Sequence, residues 1–335
     1  MRKLTMQLRR KFLKDSSLLA SASGLGLAPL GKAFAQSYPS KPVKLIIPFP
    51  PGGTTDIVGR LIAQALTGAL GQSFVVENRG GGGGTIGAAE IARATPDGYT
   101  IGMGTVSTLG TAPVTFKKLA YDPLKDYAHI VQVAAVPGIV VVHPSFPATT
   151  WAEFVKVVKA NPGKYNYASS GTNAVGHMGM ELLKSQTGLF MTHIGYRGAG
   201  PALTDVLGGT VPILWDNLSS SLPHIKSGKL VALGLAYDKR IPQLPDVPTF
   251  FELGLKKYEA TTWFGLVAPT GTPAEIVNKI NAEVNRLLLT PEVKQRMQDA
   301  GAFAMGGTPA KMADATKAEI AKWAKVVQFA KLTLE

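Results

Sequence analysis

Residues 49–56 read Phe-Pro-Pro-Gly-Gly-Thr-Thr-Asp. An apolar run over 43–47 precedes this stretch, and a helical pattern of apolar residues begins at Ile57. The prolines end a strand because they offer no N–H to a neighbouring strand, and the glycines let another backbone or a ligand come close. The stretch is therefore predicted to be a strand-to-helix turn.

Such a turn favours the binding of a small anion. Thr54, Thr55 or Asp56 can cap the helix that follows. The first N–H groups of a helix have no partner inside it, and its dipole is positive at this end. We expect Asp56 to cap the helix rather than contact the ligand, because a bare carboxylate would repel an anion. No Gly-Lys-Ser/Thr follows, which excludes a nucleotide P-loop.

A second stretch repeats this order in the other half of the chain. Residues 165–168 are a predicted strand, 169–173 read Ser-Ser-Gly-Thr-Asn, and a helix containing His177 follows. Small hydroxyl and glycine residues again lead the chain into a helix N-terminus. Two such turns, one in each half, can close on one solute from opposite sides.

Strand and helix patterns alternate along the rest of the chain, which predicts two α/β lobes with mostly parallel sheets. The apolar run 131–142 is broken by Pro137 and Gly138 and suits a strand that bends between the lobes. We place lobe 1 at 36–137 plus 260–335 and lobe 2 at 138–259. The clearest periodic patterns predict helices over 56–70, 273–288 and 309–329 and strands over 74–77, 99–103, 192–194, 211–215, 230–235 and 263–268.

The formal net charge of the 335-residue chain is +13. Residues 1–35 hold seven Lys or Arg against one acid, so they contribute +6 and leave +7 for the remainder. The basic side chains of that remainder are scattered rather than striped, which argues against nucleic acid and suits an anionic solute.

Residues 1–35 are typical of a cleavable export signal. A basic segment precedes an apolar, small-residue stretch over 18–30, and Ala33-Phe34-Ala35 is a small-x-small cleavage site. Arg9 and Arg10 resemble a twin-arginine motif, although Leu8 stands where Ser or Thr is usual. Both export routes stay open, and the motif favours twin-arginine export. With no cysteine there is no lipid-anchored precursor, disulfide or thiolate site. We predict a periplasmic protein with cleavage near Ala35.

In order and content, the motifs resemble those of Bug-type proteins, the periplasmic substrate-binding components of tripartite tricarboxylate transporters. The resemblance covers almost the whole chain after the export signal. It is carried by residues 49–56, 77–84, 96–99, 167–171, 196–205 with Gly208 and Gly209, 245–249 and 269–273.

The resemblance implies a two-lobed, Venus-flytrap binding protein of the periplasmic type II fold. Such a protein closes on a small carboxylate (a dicarboxylate, tricarboxylate or aromatic acid) and delivers it to a membrane permease. We expect a monomer without a cofactor. Carried over residue by residue, the ligand-binding set is Pro51, Gly52, Gly53, Thr54, Thr55, Asp56, Ser169, Ser170, Gly171, Thr172, Asn173, His177, Gly198 and Asp216.

Two other functions are compatible with parts of the sequence. An extracytoplasmic sensor would present the same loaded form to a membrane signalling protein. An exported hydrolase would use Ser169 or Ser170 with the nearby His177, but the glycine two residues before a nucleophile-elbow serine is absent. The five histidines show no metal-ligand spacing. We therefore predict a binding protein rather than an enzyme.

Overall fold

The strand that leads into the turn at 49–56 lies inside a six-stranded sheet. In the computed structural model, which describes residues 38–256 and 258–330, β1 (Val43–Ile47) pairs in parallel with β2 (Phe74–Asn78) and β3 (Thr100–Thr105). The predicted export signal over 1–35 lies outside the described residues. We call the part of the chain built on this sheet lobe 1.

Lobe 1 is assembled from two segments of the chain. Its further elements are α1 (Thr54–Leu70), α2 (Thr85–Ala92), a wide π-helical segment (Val106–Thr111), α3 (Ala112–Thr115), β4 (Tyr127–Val136), β10 (Thr262–Pro269), α8 (Ala274–Leu288), α9 (Pro291–Asp299), β11 (Phe303–Ala304) and α10 (Pro309–Phe329). The strand order of its sheet is β11-β4-β10-β3-β1-β2.

Lobe 2 is built on a five-stranded sheet with the strand order β7-β6-β8-β5-β9. Its elements are β5 (Gly138–Val142), α4 (Trp151–Ala160), β6 (Asn166–Ser169), α5 (Val175–Thr187), β7 (Thr192–Gly195), α6 (Ala199–Leu207), β8 (Ile213–Asn217), α7 (Leu218–Lys226) and β9 (Val231–Ala236).

The chain passes between the two sheets at two places. β4 ends in the first sheet at Val136 and β5 begins in the second at Gly138, with Pro137 between them. The chain returns between the end of β9 and the start of β10. The predicted limits of the lobes, 36–137 plus 260–335 and 138–259, stay predictions.

The sheets are more mixed than the alternation of strand and helix predicts. β1 with β2 and β3, and β6 with β7 and β8, are parallel, whereas β5 and β10 pair antiparallel with both of their neighbours. The prediction of mostly parallel sheets is wrong because β5 and β10, the first strands after each passage between the sheets, run opposite to the strands that they pair with.

The long amphipathic helices form where the sequence predicts them. α8 and α10 span Ala274–Leu288 and Pro309–Phe329, and α1 ends at Gly71 in the left-handed conformation of a helix C-cap. Short α7 and α9 and the π-helical segment were not predicted. Within 38–256 and 258–330, no helix has the length and apolar character needed to span a bilayer.

Trp215 is the largest fully buried side chain of lobe 2 and packs against the passage between the lobes. Its Nε1 donates a hydrogen bond to Tyr258 Oη at 2.7 Å, and its side chain is 1% exposed. A Cβ at Gly138 would overlap the indole ring and lie 2.9 Å from the Ala260 carbonyl oxygen. Gly138 is therefore required by the packing of Trp215.

Replacing Gly138 by alanine should destabilise the protein by about 1–3 kcal/mol, the usual result of overpacking a core. The matched control is Gly68→Ala on the exposed face of α1, where a Cβ meets nothing within 4 Å. There the better helix propensity of alanine should stabilise by about 0.5–1 kcal/mol. Urea unfolding measures both changes, and equal effects at the two positions would contradict this account.

Candidate functional site

A small cavity of about 20 Å³ lies between the lobes, at the edge where strands of both sheets end. Phe49 follows β1, Thr105 ends β3, Ser170 follows β6 and Asn217 ends β8. Strand ends of this kind are where ligands bind in open α/β folds. The residues that line the cavity are Phe49, Gly53, Thr54, Thr55, Thr105, Ser107, Ser170, Ala199, Asn217, Thr262 and Phe264.

The lining is neutral and rich in hydroxyl groups. It contains six Ser or Thr side chains and one amide but no Lys, Arg, His, Asp or Glu. Two phenylalanines supply its apolar surface. An anion in this cavity would therefore be held by hydrogen-bond donors rather than by a charged side chain. No group of three or more His, Asp or Glu residues suited to a metal ion occurs in the described part of the chain.

The N-terminus of α1 lies at this cavity, which Gly53, Thr54 and Thr55 line. Gly53 is the N-cap, and its carbonyl accepts from the N–H groups of Asp56 and Ile57. No side chain caps the helix, so the prediction that Thr54, Thr55 or Asp56 does so is wrong. Because the helix supplies no internal acceptor for the N–H groups of Thr54 and Thr55, these remain available to a ligand.

Asp56 instead stabilises the turn at 49–56 without lining the cavity. Its carboxylate accepts hydrogen bonds from Gly52 N at 3.2 Å, Arg60 Nε at 2.9 Å and Asn78 Nδ2 at 2.9 Å. Burial acts to raise the pKa of Asp56, but the hydrogen bonds from Arg60, Asn78 and Gly52 outweigh it and hold the pKa below its usual range. The carboxylate is thus charged, paired and absent from the cavity lining.

His177 has the same position in α5 that Asp56 has in α1, the third residue of the helix. Its Nδ1 accepts a hydrogen bond from Asn173 N at 3.1 Å, and its ring stacks on His193 with centroids 3.9 Å apart. Burial lowers the pKa of His177, which favours the neutral ring that can accept this bond. His177 therefore supports the second turn and does not line the cavity.

The two lobes meet backbone to backbone beside the cavity. A Cβ on Gly200 would lie 2.5 Å from the Pro51 carbonyl oxygen, and one on Gly83 would lie 2.8 Å from the Thr172 carbonyl oxygen. Gly53 faces Ala199 across the same contact. Larger side chains at these positions would hold the lobes apart, so Gly53, Gly83 and Gly200 allow the close approach of one lobe to the other.

A chain of hydroxyl groups also joins the lobes. Thr54 Oγ1 lies 2.9 Å from Ser220 Oγ, which donates to Asp216 Oδ2 at 2.7 Å. Ser221 Oγ donates to the same oxygen at 2.6 Å. Asp216 is 3% exposed and does not line the cavity, whereas its neighbour Asn217 does. Successive strand residues face opposite sides of a sheet, which explains the difference between the two.

The cavity brings together only part of the predicted ligand-binding set. Gly53, Thr54, Thr55 and Ser170 line it. The other predicted residues lie around it, in the closing contacts or behind the turns; these are Pro51, Gly52, Asp56, Ser169, Gly171, Thr172, Asn173, His177, Gly198 and Asp216.

Several lining residues were not in the predicted set. Thr105 and Ser107 come from the end of β3 and the segment after it, and Thr262 and Phe264 come from β10. One signal was present in the sequence: neighbouring parallel strands end at the same edge, so the end of β3 belongs beside the turn after β1. No comparable signal points to β10, which runs antiparallel to both of its neighbours.

Ser169 contacts a histidine other than the one that the hydrolase hypothesis requires. Its hydroxyl lies 2.7 Å from His193 Nε2 and 3.1 Å from the Gly171 carbonyl oxygen. The side chain is 0% exposed, so no substrate reaches it. Burial, followed by the neighbouring His177, lowers the pKa of His193 to about 3. The pair is a structural contact.

Fold and site together define a two-lobed α/β protein with a neutral cavity between its lobes. Residues 58–332 match the family described as "Tripartite tricarboxylate transporter family receptor", and the chain belongs to this family. The predicted resemblance is thereby confirmed. The binding proteins of this family are periplasmic and are not enzymes.

Three solved structures are similar over nearly the whole chain. The periplasmic binding protein BugD is 35% identical with a TM-score of 0.86, covering 89% of this chain and 100% of that one. Rpa4515 of R. palustris, solved with adipate, is 36% identical with a TM-score of 0.87 and the same coverage. MatC of Rhodopseudomonas palustris, solved with bound malate, is 35% identical with a TM-score of 0.83, covering 87% and 100%.

The buried carboxyl of Asp216 should make stability depend on pH. Burial raises its pKa from 3.8 to about 6, opposed only in part by hydrogen bonds from Ser221 and Ser220. Between these values the folded protein holds a proton that the unfolded chain has lost, so the free energy of unfolding falls as pH rises. The contribution lost by pH 7 is about 3 kcal/mol, at about 1.4 kcal/mol for each pH unit.

Asp216→Asn should therefore gain about 2–2.5 kcal/mol of stability relative to the wild type between pH 4 and pH 7. Asn cannot titrate and keeps an oxygen that accepts from the two serines. Chemical unfolding of both proteins across this range measures the difference, with Asp314→Asn at an exposed position as the control. A difference that stays constant with pH would show that Asp216 is ionised throughout.

Proposed function

We propose that this protein captures a small carboxylate between its two lobes and delivers it to a membrane permease of the tripartite tricarboxylate type. The observation that carries the proposal is the neutral cavity, which combines a helix N-terminus with six hydroxyl side chains. Adipate and malate in two proteins of the same fold support a carboxylate as the solute.

Hydrogen bonds from neutral donors suffice for useful affinity. Each bond to a charged group contributes roughly 1.5–3 kcal/mol. Three or four of them sum to about 5–12 kcal/mol before the cost of association, and micromolar binding requires about 8 kcal/mol. Closure of the lobes adds contacts such as that between Thr54 and Ser220. The solute shifts the protein toward the closed state to the extent that it binds this state better.

We also propose how the protein reaches its partner. A cleaved signal near Ala35 would release a monomer into the periplasm, where the permease subunits recognise the loaded, closed form. Uptake of the solute distinguishes this role from that of a sensor, because cells need a transport receptor for uptake but do not need a sensor for it. Loss of uptake on deletion of the gene, restored by the protein, is the expected result in cells.

Isothermal titration of the purified protein with succinate, adipate, citrate and benzoate tests the binding step. At least one of these acids should bind with micromolar affinity or better, while glucose and a cation such as choline should not. Gly200→Ala should weaken that binding tenfold or more, because its methyl group meets the Pro51 carbonyl oxygen when the lobes close. Its unfolding midpoint without ligand should stay at the wild-type value.

Gly208→Ala is the matched control at the other end of α6. There a Cβ would meet its nearest atom at an ordinary 3.4 Å, inside its own lobe, so binding should be unchanged. Binding of glucose or choline in place of every acid would contradict the proposed function. Unimpaired binding by Gly200→Ala would show instead that closure does not need this contact.

A further inference from the structure

Two buried polar atoms on the cavity wall have no hydrogen-bond partner among residues 38–256 and 258–330. They are Asn217 Oδ1 and Thr262 Oγ1. Thr262 is 1% exposed. Buried polar groups are almost always paired in folded proteins, and one without a partner in a binding cavity points to a group that the ligand supplies.

Other hydroxyls of the same wall are already occupied. Thr54 Oγ1 bonds to Ser220 and to the carbonyl oxygen of Asn217. Thr105 Oγ1 lies 3.3 Å from Thr108 Oγ1, and Ser107 Oγ accepts from Val175 N at 3.1 Å. The unpaired atoms of Asn217 and Thr262 therefore differ from these three hydroxyl groups, which already have hydrogen-bond partners within the protein.

Asn217 and Thr262 both line this small cavity, and the sheet registers place each of them beside the passage between the lobes. Asn217 pairs with Gly138 and Thr262 pairs with Val136, the two residues on either side of Pro137. Asn217 belongs to lobe 2 and Thr262 to lobe 1. A ligand group bound to both would bridge the lobes where the chain passes between them.

The chemistry of the two atoms restricts that group. The amide oxygen of Asn217 only accepts hydrogen bonds, so it needs a donor from the ligand. A carboxylate only accepts and cannot supply one. An alcohol hydroxyl can donate to Asn217 Oδ1 and accept from Thr262 Oγ1 at the same time. An ammonium group also donates, but no carboxylate side chain lines the cavity to balance its charge.

We propose that the cavity selects hydroxy acids, with Asn217 and Thr262 binding the ligand's hydroxyl while the helix N-terminus and Ser170 bind its carboxylate. This inference rests on the proposed function and deepens it by naming the substrate class. Asn217 and Thr262 are then specificity-determining residues, and the ligand hydroxyl that both of them bind bridges the two lobes.

Matched pairs of acids that differ only in the hydroxyl test the inference. Titration should show malate binding at least tenfold more tightly than succinate, and lactate more tightly than propionate, since an acid without the hydroxyl leaves both buried atoms unpaired. Thr262→Val keeps the shape of the side chain but removes the hydroxyl. In this variant the affinities for malate and succinate should differ by no more than about twofold.

Asn217→Ala should reduce the ratio of the malate and succinate affinities and serves as a second variant should Thr262→Val fold poorly. The control is Thr192→Val, at an exposed position of β7, which should leave both affinities and the ratio at wild-type values. Equal binding of malate and succinate would overturn the inference while leaving carboxylate capture intact. Tightest binding of aspartate would overturn it in favour of an amino acid.

A ratio that persists in both variants would also overturn the inference, because the discrimination would then arise elsewhere in the cavity. Binding of none of the acids, with or without a hydroxyl, would contradict the proposed function itself and this inference with it.

Discussion

The approach of two backbones across the cleft is the constraint on which the rest of the site depends. The Pro51 carbonyl oxygen and Gly200 leave no room for a side chain between them, and Gly83 meets Thr172 in the same way. Because main chain meets main chain, the turns of the two lobes need glycine for reasons that do not involve the ligand. The cavity lies beside these contacts, so its size is set by how closely the lobes come together.

The turns at 49–56 and 169–173 are stabilised by different side chains in the same helix position. Asp56 in α1 and His177 in α5 each accept a hydrogen bond from the N–H of the residue four places earlier. One is a carboxylate paired with Arg60, and the other is a neutral ring stacked on His193. Both leave the cavity free of charge, which suits a site where N–H and hydroxyl groups bind an anion.

Much of the fold follows from patterns that a single sequence carries. The apolar period of α8 and α10, the turn after β1 and the break at Pro137 each have a local cause, and each element forms as predicted. Short α7 was missed because a serine-rich segment with an internal proline has no helical period to recognise. β10 was predicted as a strand, but the sequence did not show which strands it pairs with, because β3 and β4 lie far from it in the chain.

The candidate site was predictable in outline only. Residues of the turns at 49–56 and 169–173 line the cavity. Whether Asp216 or Asn217 does so depends on which side of β8 faces the cavity, and the sequence does not determine this. Thr262 reaches the cavity only because β10 returns beside β3. The wall cannot be predicted from any one segment, because the turn after β1 supplies four of its residues and the others come from β3, β6, β8, β10 and the segments beside them.

A crystal structure of the protein with a bound dicarboxylate would show how the anion is held. We expect a carboxylate between the lobes, with its oxygens about 2.7–3.1 Å from the N–H groups of Thr54 or Thr55 and no Lys or Arg in contact. An acid bound outside this cavity, or paired there with a basic side chain, would contradict this expectation.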